Sequence, residues 1–270
     1  MFPILFHYGY ITLHTYGLLV ATGFLAGIYV ARHFARQFGL DAERIFNLAV
    51  YLALGAIVGA KVFLILQDWR YVMRDPGYVV SLGFLQSAGI FYGGVIGALL
   101  VMTLYVRRQK LGWLAVGDAV APGVAIGHGI GRLGCFSAGC CWGKPTHLPW
   151  AVTFHNAYAN ASTGVPLGIP LQPTQIYEAA AEAVIFFLLW RMAQRRAFVG
   201  QLTAFYLLAY GVVRFLVDFV RAYEPQAMLF HGLLTDAQLT SLFMVALAIG
   251  IYATHSRRAV LRGAAPAPTS

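Results

Sequence analysis

Charge is scarce in this chain. Only 11% of its 270 residues are Asp, Glu, Lys or Arg, against about 25% in a soluble domain. Acidic residues are the scarcer kind, 10 against 19 basic ones. A soluble globular domain is excluded by that deficit, and the mean hydropathy of +0.68 agrees. No basic segment precedes the first apolar run, and its arginines follow it. A cleavable signal peptide needs a positive leading segment, so the first run reads as a retained helix. Cysteine is limited to three residues, all within Cys135–Cys141. An odd count leaves one thiol unpaired, or none paired.

What is present is apolar sequence, 59% of the chain, in runs of spanning length. Thr15–Ala31 and Ala88–Val106 carry no charge, Ile45–Leu66 carries one lysine, and Leu202–Val220 carries one Arg and one Asp. Shorter candidates are Ala119–Gly134, Ile176–Trp190 and Leu239–Ala253. About 20 apolar residues cross a bilayer as a helix. The expected fold is an all-α integral membrane protein with seven transmembrane helices. It forms a single domain over residues 1–262, with an outer loop cap over 135–171 and a disordered tail, 263–270.

A net charge of +9 invites a nucleic-acid partner, but the placement of the charge excludes one. Arg32, Arg36 and Arg44 follow the first span, and Arg107, Arg108 and Lys110 the third. Arg191, Arg195 and Arg196 follow the fifth, and Arg257, Arg258 and Arg262 the seventh. Twelve of 19 basic residues thus fall in alternate loops. Cytoplasmic loops carry such an excess, which predicts an outside N-terminus and a cytoplasmic C-terminus. The same clusters suit anionic headgroups.

Seven basic residues remain: Lys61, Arg70, Arg74, Arg132, Lys144, Arg214 and Arg221. In the expected topology Lys61, Arg132, Arg214 and Arg221 lie toward the outer ends of their spans. Glu178 opens the fifth span there, His14 and Tyr16 the first, and Tyr92 the third. Ionisable residues in a span are costly and mark partners or wet cavities. Their convergence from six spans predicts a polar cavity open to the outer leaflet. Arg214, Asp218 and Arg221, at i, i+4 and i+7, share one helix face. Asp218 can orient Arg214 as an i,i+4 pair. The cavity is net positive, so a phospholipid phosphate is its natural guest, met by the planar guanidinium fork.

Within QPTQIYEAAAE (Gln172–Glu182), Pro173 suits a helix start, and Gln175, Glu178 and Glu182 continue one face. Glu182 is a second possible arginine partner. His128 stands four residues before Arg132, on the same helical face. The glycines of FYGGVIG (Phe91–Gly97) and GHGIGRLG (Gly127–Gly134) suit close helix packing. Cys135, Cys140 and Cys141 leave three roles open. They could form a disulfide bracing the turn, such as Cys135 to Cys140. They could form a zinc site with His147 or His155, although the spacing fits no strong template. Or one could be a catalytic thiol beside Arg132.

The motifs HTYG (14–17), FYGGVIG (91–97), GRLGCFSAGCCWG (131–143), QPTQIYE (172–178) and YGVVRFLVDFVR (210–221), in this order, resemble the bacterial prolipoprotein diacylglyceryl transferase family. The resemblance runs from His14 to about Tyr252. It implies a multi-pass protein of the bacterial inner membrane with seven spans, an outward site, no metal and no cofactor. It also implies transfer of the diacylglyceryl group of phosphatidylglycerol to a lipobox cysteine thiol of a prolipoprotein signal peptide, giving a thioether for lipoprotein maturation. By resemblance, Tyr16, Arg132, Arg214, Arg221, Gln175, Tyr177 and Glu178 match family positions, and Asp218 replaces a glutamate. Tyr92 stands where the family has a histidine often taken as general base. Cys135 and Cys140 replace polar residues, Gln172 a histidine and Lys61 an arginine. This is a divergent branch.

These readings assign Arg132, Arg214, Arg221 and Gln175 to the lipid phosphate, and His128, Tyr92, Tyr16, Asp218 and Glu178 to the chemistry. His128 is the preferred base, with an intrinsic pKa near neutrality; Tyr92 is the alternative. Three rivals stand beside the transferase. A transporter would need polar residues continuing to the inner side. A thiol-redox protein would leave Arg214, Asp218 and Glu178 without a role. A lipid-binding paralogue would keep the cavity but act on another acceptor, or have lost catalysis.

Overall fold

The computed structural model describes residues 2–8, 11–87, 89–222, 228–229 and 233–263. Residues 264–270 of the expected tail lie outside the described residues. The chain is mostly helical, and helices occupy all seven regions expected to span. Five of them are long and apolar enough to cross a membrane: α1 (Thr15–Gln37), α2 (Ala42–Gln67), α6 (Trp113–Ala138), α9 (Gln201–Asp218) and the Asp236–Ser256 part of α10 (Asp236–Gly263). The other two regions form α5 (Phe91–Arg108) and α8 (Thr174–Ala193).

Contacts divide the chain into two compact units, Met1–Phe34 with Gly117–Ser270, and Ala35–Val116. The boundaries fall within α1 and α6.

In the Ala35–Val116 unit, α2 and α5 pack along glycines. A Cβ built on Gly59 would lie 2.3 Å from the carbonyl oxygen of Gly93, and one on Gly97 2.2 Å from that of Gly55. The FYGGVIG glycines therefore serve packing, as expected. Three short segments join the pair: α3 (Trp69–Arg74), a 3-10 turn at Pro76–Val80, and α4 (Leu82–Gln86). Lys61, expected to charge the outer cavity, is occupied within this unit. Its Nζ donates to the Phe84 carbonyl, to the Ser87 carbonyl at 2.7 Å and to Ser87 Oγ at 3.0 Å. An ammonium has three protons to satisfy, and two carbonyls and a hydroxyl at the C-terminal end of α4 satisfy them.

In the other unit, a hairpin of β1 (Ile4–Tyr8) and β2 (Ile11–His14) precedes α1. Helices α1 and α6 pack along a second glycine seam. A Cβ on Gly123 would lie 2.4 Å from the carbonyl oxygen of Gly27, and one on Gly23 2.6 Å from that of Gly127. Asp118 on α6 is fully buried. It accepts from the backbone N–H groups of Gly200 at 2.7 Å and Thr203 at 2.9 Å, and from Thr203 Oγ1 at 2.9 Å. Helix α9 has no side-chain cap of its own at Gly200. Asp118 supplies that cap from a neighbouring helix, where an N-terminus favours negative charge. Arg196, read only as a topology signal, also reaches Asp118 at 3.3 Å.

The cap starts later than expected. Helix α6 continues through Cys135 to Ala138 and ends at Gly139, whose φ of 80° is left-handed. The cap then holds β3 (Val152–Thr153), α7 (Ala157–Thr163) and β4 (Pro170–Leu171), with β3 and β4 antiparallel. Its core is Phe154, Ala159, Val165 and Leu171, covered by Phe136, Trp142 and Val152. Gly143 forms an antiparallel bridge with Arg221, and its N–H donates to the Gln172 carbonyl at 2.9 Å. The segment around Gly143 thus runs between the start of α8 and the end of α9.

Candidate active site

The buried face of α8 carries Thr174, Gln175, Glu178, Ala179, Glu182, Ile185 and Leu189. That spacing is helical. The face is mostly polar in its first three turns and apolar beyond, so α8 brings two carboxylates into the interior in its N-terminal half.

Glu178 is the hub. It is 1% exposed, and three guanidinium groups converge on it. Arg132 Nη2 lies 2.6 Å from Oε2, Arg221 Nη1 3.6 Å from Oε1, and Arg214 Nη1 3.9 Å from Oε1. Arg214 also pairs with Asp218 at 2.9 Å, the i,i+4 contact expected on α9. Asp218 is in turn held by Thr235 Oγ1, at the start of α10. Thr235 and Gln238 complete a reciprocal cap there. Gln238 N donates to Thr235 Oγ1 at 3.0 Å, and Thr235 N donates to Gln238 Oε1 at 3.1 Å. This is the capping-box arrangement. Three arginines face Glu178 and Asp218, so the cluster carries one surplus positive charge. The side chains of Arg132, Arg214 and Arg221 are each 12–14% exposed. The cluster is nearly enclosed.

Arg221 arrives by a different route from the one its spacing suggested. Helix α9 ends at Asp218. The bridge to Gly143, rather than helical periodicity, brings Arg221 back to Glu178.

Glu182 is fully buried and was expected as an arginine partner. It pairs instead with His128, whose Nδ1 lies 2.6 Å from Oε1, and it accepts from Tyr206 O–H at 3.3 Å. The His128 ring meets Tyr210 edge-on at 5.0 Å, and Tyr210 stacks on Tyr206. His128 and Arg132, four residues apart on α6, thus meet Glu182 and Glu178, four residues apart on α8. The two tyrosines were not foreseen. Their i,i+4 spacing with each other and with Arg214 was the available signal.

Gln175 was expected to touch phosphate. It is fully buried, and its Nε2 donates to the Cys140 carbonyl at 2.6 Å. Thr174 Oγ1 donates to the Cys141 carbonyl at 2.6 Å. Together they hold the cysteine turn. Of the three roles left open, the disulfide is not formed: Cys135, Cys140 and Cys141 are free thiols. Cys140 Sγ donates to the Cys135 carbonyl at 3.6 Å instead. Hydrogen bonds from Cys135 and Cys140 pull the Cys141 thiol well below its ordinary pKa, and Arg221 and Arg132 pull the same way. The same cysteine network pushes the Cys140 thiol up.

Tyr16, in the first turn of α1, is 44% exposed and packs against Gly134. Neighbouring His14 meets the cap through its Nε2, 3.1 Å from Tyr158 O–H. Tyr177 O–H accepts from Trp150 Nε1 at 2.7 Å and donates to Gln172 Oε1 at 3.0 Å. Tyr92 stands in the first turn of α5, in the Ala35–Val116 unit, and is 45% exposed.

The sequence model described as prolipoprotein diacylglyceryl transferase matches residues 3–254. The chain belongs to the prolipoprotein diacylglyceryl transferase family. Relatives named phosphatidylglycerol–prolipoprotein diacylglyceryl transferase match it over most of their own length. The Clostridium tetani protein is 34% identical over 255 residues, covering 93% of this chain and 97% of its own. The Nitratidesulfovibrio vulgaris (strain DP4) protein is 34% identical, covering 92% of each chain. A Vibrio cholerae protein is 34% identical over 92% of this chain and 89% of its own. Family membership therefore extends beyond the motifs to nearly the whole chain.

Proposed function

We propose that this chain transfers the diacylglyceryl group of phosphatidylglycerol to the lipobox cysteine of prolipoproteins at the outer face of the bacterial inner membrane. The observation that carries the reading is the arginine cluster on Glu178, one positive charge in surplus and nearly enclosed. The relatives' names supply the substrates. The alternating basic loops support seven spans, with the N-terminus outside and the cluster in the outer leaflet.

The reaction is a displacement at the glycerol carbon bonded to the phosphate oxygen. The acceptor thiol loses its proton, a sulfur–carbon bond forms, and the carbon–oxygen bond breaks. Glycerol phosphate leaves with the electron pair. Arg132 and Arg214 hold the phosphate, Asp218 fixes Arg214, and Arg221 closes the side toward the cap. Glu178 holds the three guanidiniums together before lipid arrives, so little reorganisation is needed as negative charge grows on the leaving oxygen. His128, set by Glu182, takes the thiol proton, because the thiolate is the nucleophile. Tyr16 and the cap residues Trp150 and Tyr158 flank the approach of the peptide.

The test incubates purified protein with phosphatidylglycerol and a lipobox peptide and reads the diacylglyceryl adduct by mass spectrometry. Adduct is expected with the parent protein. With Arg132→Ala it should fall by about 10²–10³-fold, the effect of removing one charged donor from a transition state. Bound lipid without adduct in the parent would overturn the transferase reading.

A further inference from the structure

The three cysteines have no role in the chemistry above, yet the fold gathers them. Their sulfur atoms all lie within 4.8 Å of one another, and each residue is only partly buried. One comes from the last turn of α6 and two from the turn after it. That turn is not slack. Cys141 adopts a left-handed φ of 63°, rare for a side chain other than glycine. The Cys140 and Cys141 carbonyls are pinned by Gln175 and Thr174, both fully buried. A strained residue persists only where its surroundings over-determine it, and such residues cluster at functional sites.

Three sulfurs bound to one zinc ion at about 2.3 Å would lie about 3.8–4.0 Å apart. The cluster needs only a small contraction to reach that geometry. Charge also fits. Three thiolates around Zn(II) carry one net negative charge, Arg132 stands three residues before Cys135 on α6, and the Gly143 bridge brings Arg221 beside the cysteine turn. Surroundings that would repel a bare dication favour an anionic complex. Among the described residues no His, Asp or Glu joins the group, so the ion would keep a fourth position open, as catalytic zinc sites do.

We propose that Cys135, Cys140 and Cys141 form a three-thiolate zinc site whose open position takes the acceptor thiol. The step balances: three protein thiols release three protons as the ion binds, and the incoming peptide thiol passes its proton to His128 as it ligates. The bound sulfur then attacks the lipid carbon beside the arginine cluster. The role assigned to the ion rests on the transferase reading; the site itself does not.

The experiment titrates the purified, reduced, metal-free chain in detergent with Cd(II), a spectroscopic stand-in for zinc. The ultraviolet sulfur-to-metal charge-transfer band reports the number of thiolates bound. The expected result is saturation at one ion per chain, with three cysteines protected from alkylation. Saturating zinc should displace the cadmium. Cys140→Ser should weaken binding at least tenfold, and the triple serine variant should abolish it while still binding phosphatidylglycerol. Adding lipobox peptide should then raise the band by one further thiolate, and a serine peptide should not. Three alkylatable thiols without a saturable band would overturn the site. A saturable band that the peptide leaves unchanged would overturn the open-position role. The adduct assay on metal-free protein judges the transferase reading separately, because an adduct formed without zinc would uphold it and remove the ion from the chemistry.

Discussion

His128 and Glu182 show how much one buried contact can decide. A histidine in an apolar run usually packs and hydrogen-bonds without further role, but this one sits 2.6 Å from a carboxylate with no exposed surface. That partner engages Nδ1, so Nε2 is the nitrogen assigned to proton transfer in the proposed mechanism. His128→Gln is expected to lower kcat by about 10²–10⁴-fold, the usual contribution of a general base, with KM for both substrates little changed. Glu182→Gln should lower kcat less, since the amide oxygen can still accept from Tyr206 and His128. Adduct formation rates measured for both variants check this, and undiminished activity in His128→Gln would remove the base assignment. Helical spacing made Arg132, Arg214, Asp218 and Glu178 legible, because each lies on one face of a regular helix. Lys61 and Gln175 meet partners that the sequence did not suggest. Their acceptors are backbone carbonyls 23–35 residues away in the chain, and no side-chain pattern announces a carbonyl.

Among the elements, glycines separate into those that meet a neighbour and those that do not. A Cβ on Gly143 would lie 2.5 Å from Gln172 Cβ and 2.7 Å from the carbonyl oxygens of both Gln172 and Val220. Backbone lies on two sides, so neither can yield cheaply. Gly143→Val should break the bridge that brings Arg221 to Glu178, opening residues 144–171 to protease and removing activity. Gly131, in the same motif, has nothing within 4 Å of a built Cβ. Gly131→Ala should leave the protease pattern unchanged and stabilise the helix by about 0.5–1 kcal/mol. Limited proteolysis of the two variants side by side tests the distinction. A Gly143→Val protein with intact cap and full activity would show that the bridge does not position Arg221.

Asp118 carries the same lesson between helices. It was passed over in the sequence because nothing near it on α6 needs a carboxylate. Its partners are the first turn of α9 and Arg196, 78–85 residues downstream. Asp118→Ala leaves two backbone N–H groups, a hydroxyl and a guanidinium without that acceptor. Hydrogen bonds to a charged group contribute about 1.5–3 kcal/mol, so a loss of about that size is expected for the variant. The measurement is its thermal unfolding midpoint in detergent against the parent, with Asp118→Asn intermediate. An unchanged midpoint would mean that α9 is capped without it.

For the whole molecule, the distribution of charge sets how the chain lies in a bilayer. The alternate segments after α1, α5 and α8 each carry basic residues, and so does the C-terminal end of α10. The Glu178 cluster sits at the opposite helix ends: the N-terminus of α8 and the C-terminal parts of α6 and α9. Under the positive-inside rule the proposed topology places the basic segments in the cytoplasm and the cluster on the outer side. The proposed topology therefore predicts opposite behaviour for two reporter fusions. One that is active only outside the cytoplasm should be active within the cap, after His155, and silent after Tyr252. Replacing Arg107, Arg108 and Lys110 by glutamine should weaken the preference locally, because Lys and Arg near helix ends set orientation. An active reporter after Tyr252 with a silent one in the cap would invert the molecule. It would put the arginine cluster in the inner leaflet, where a lipid phosphate is still available but an exported prolipoprotein cysteine is not.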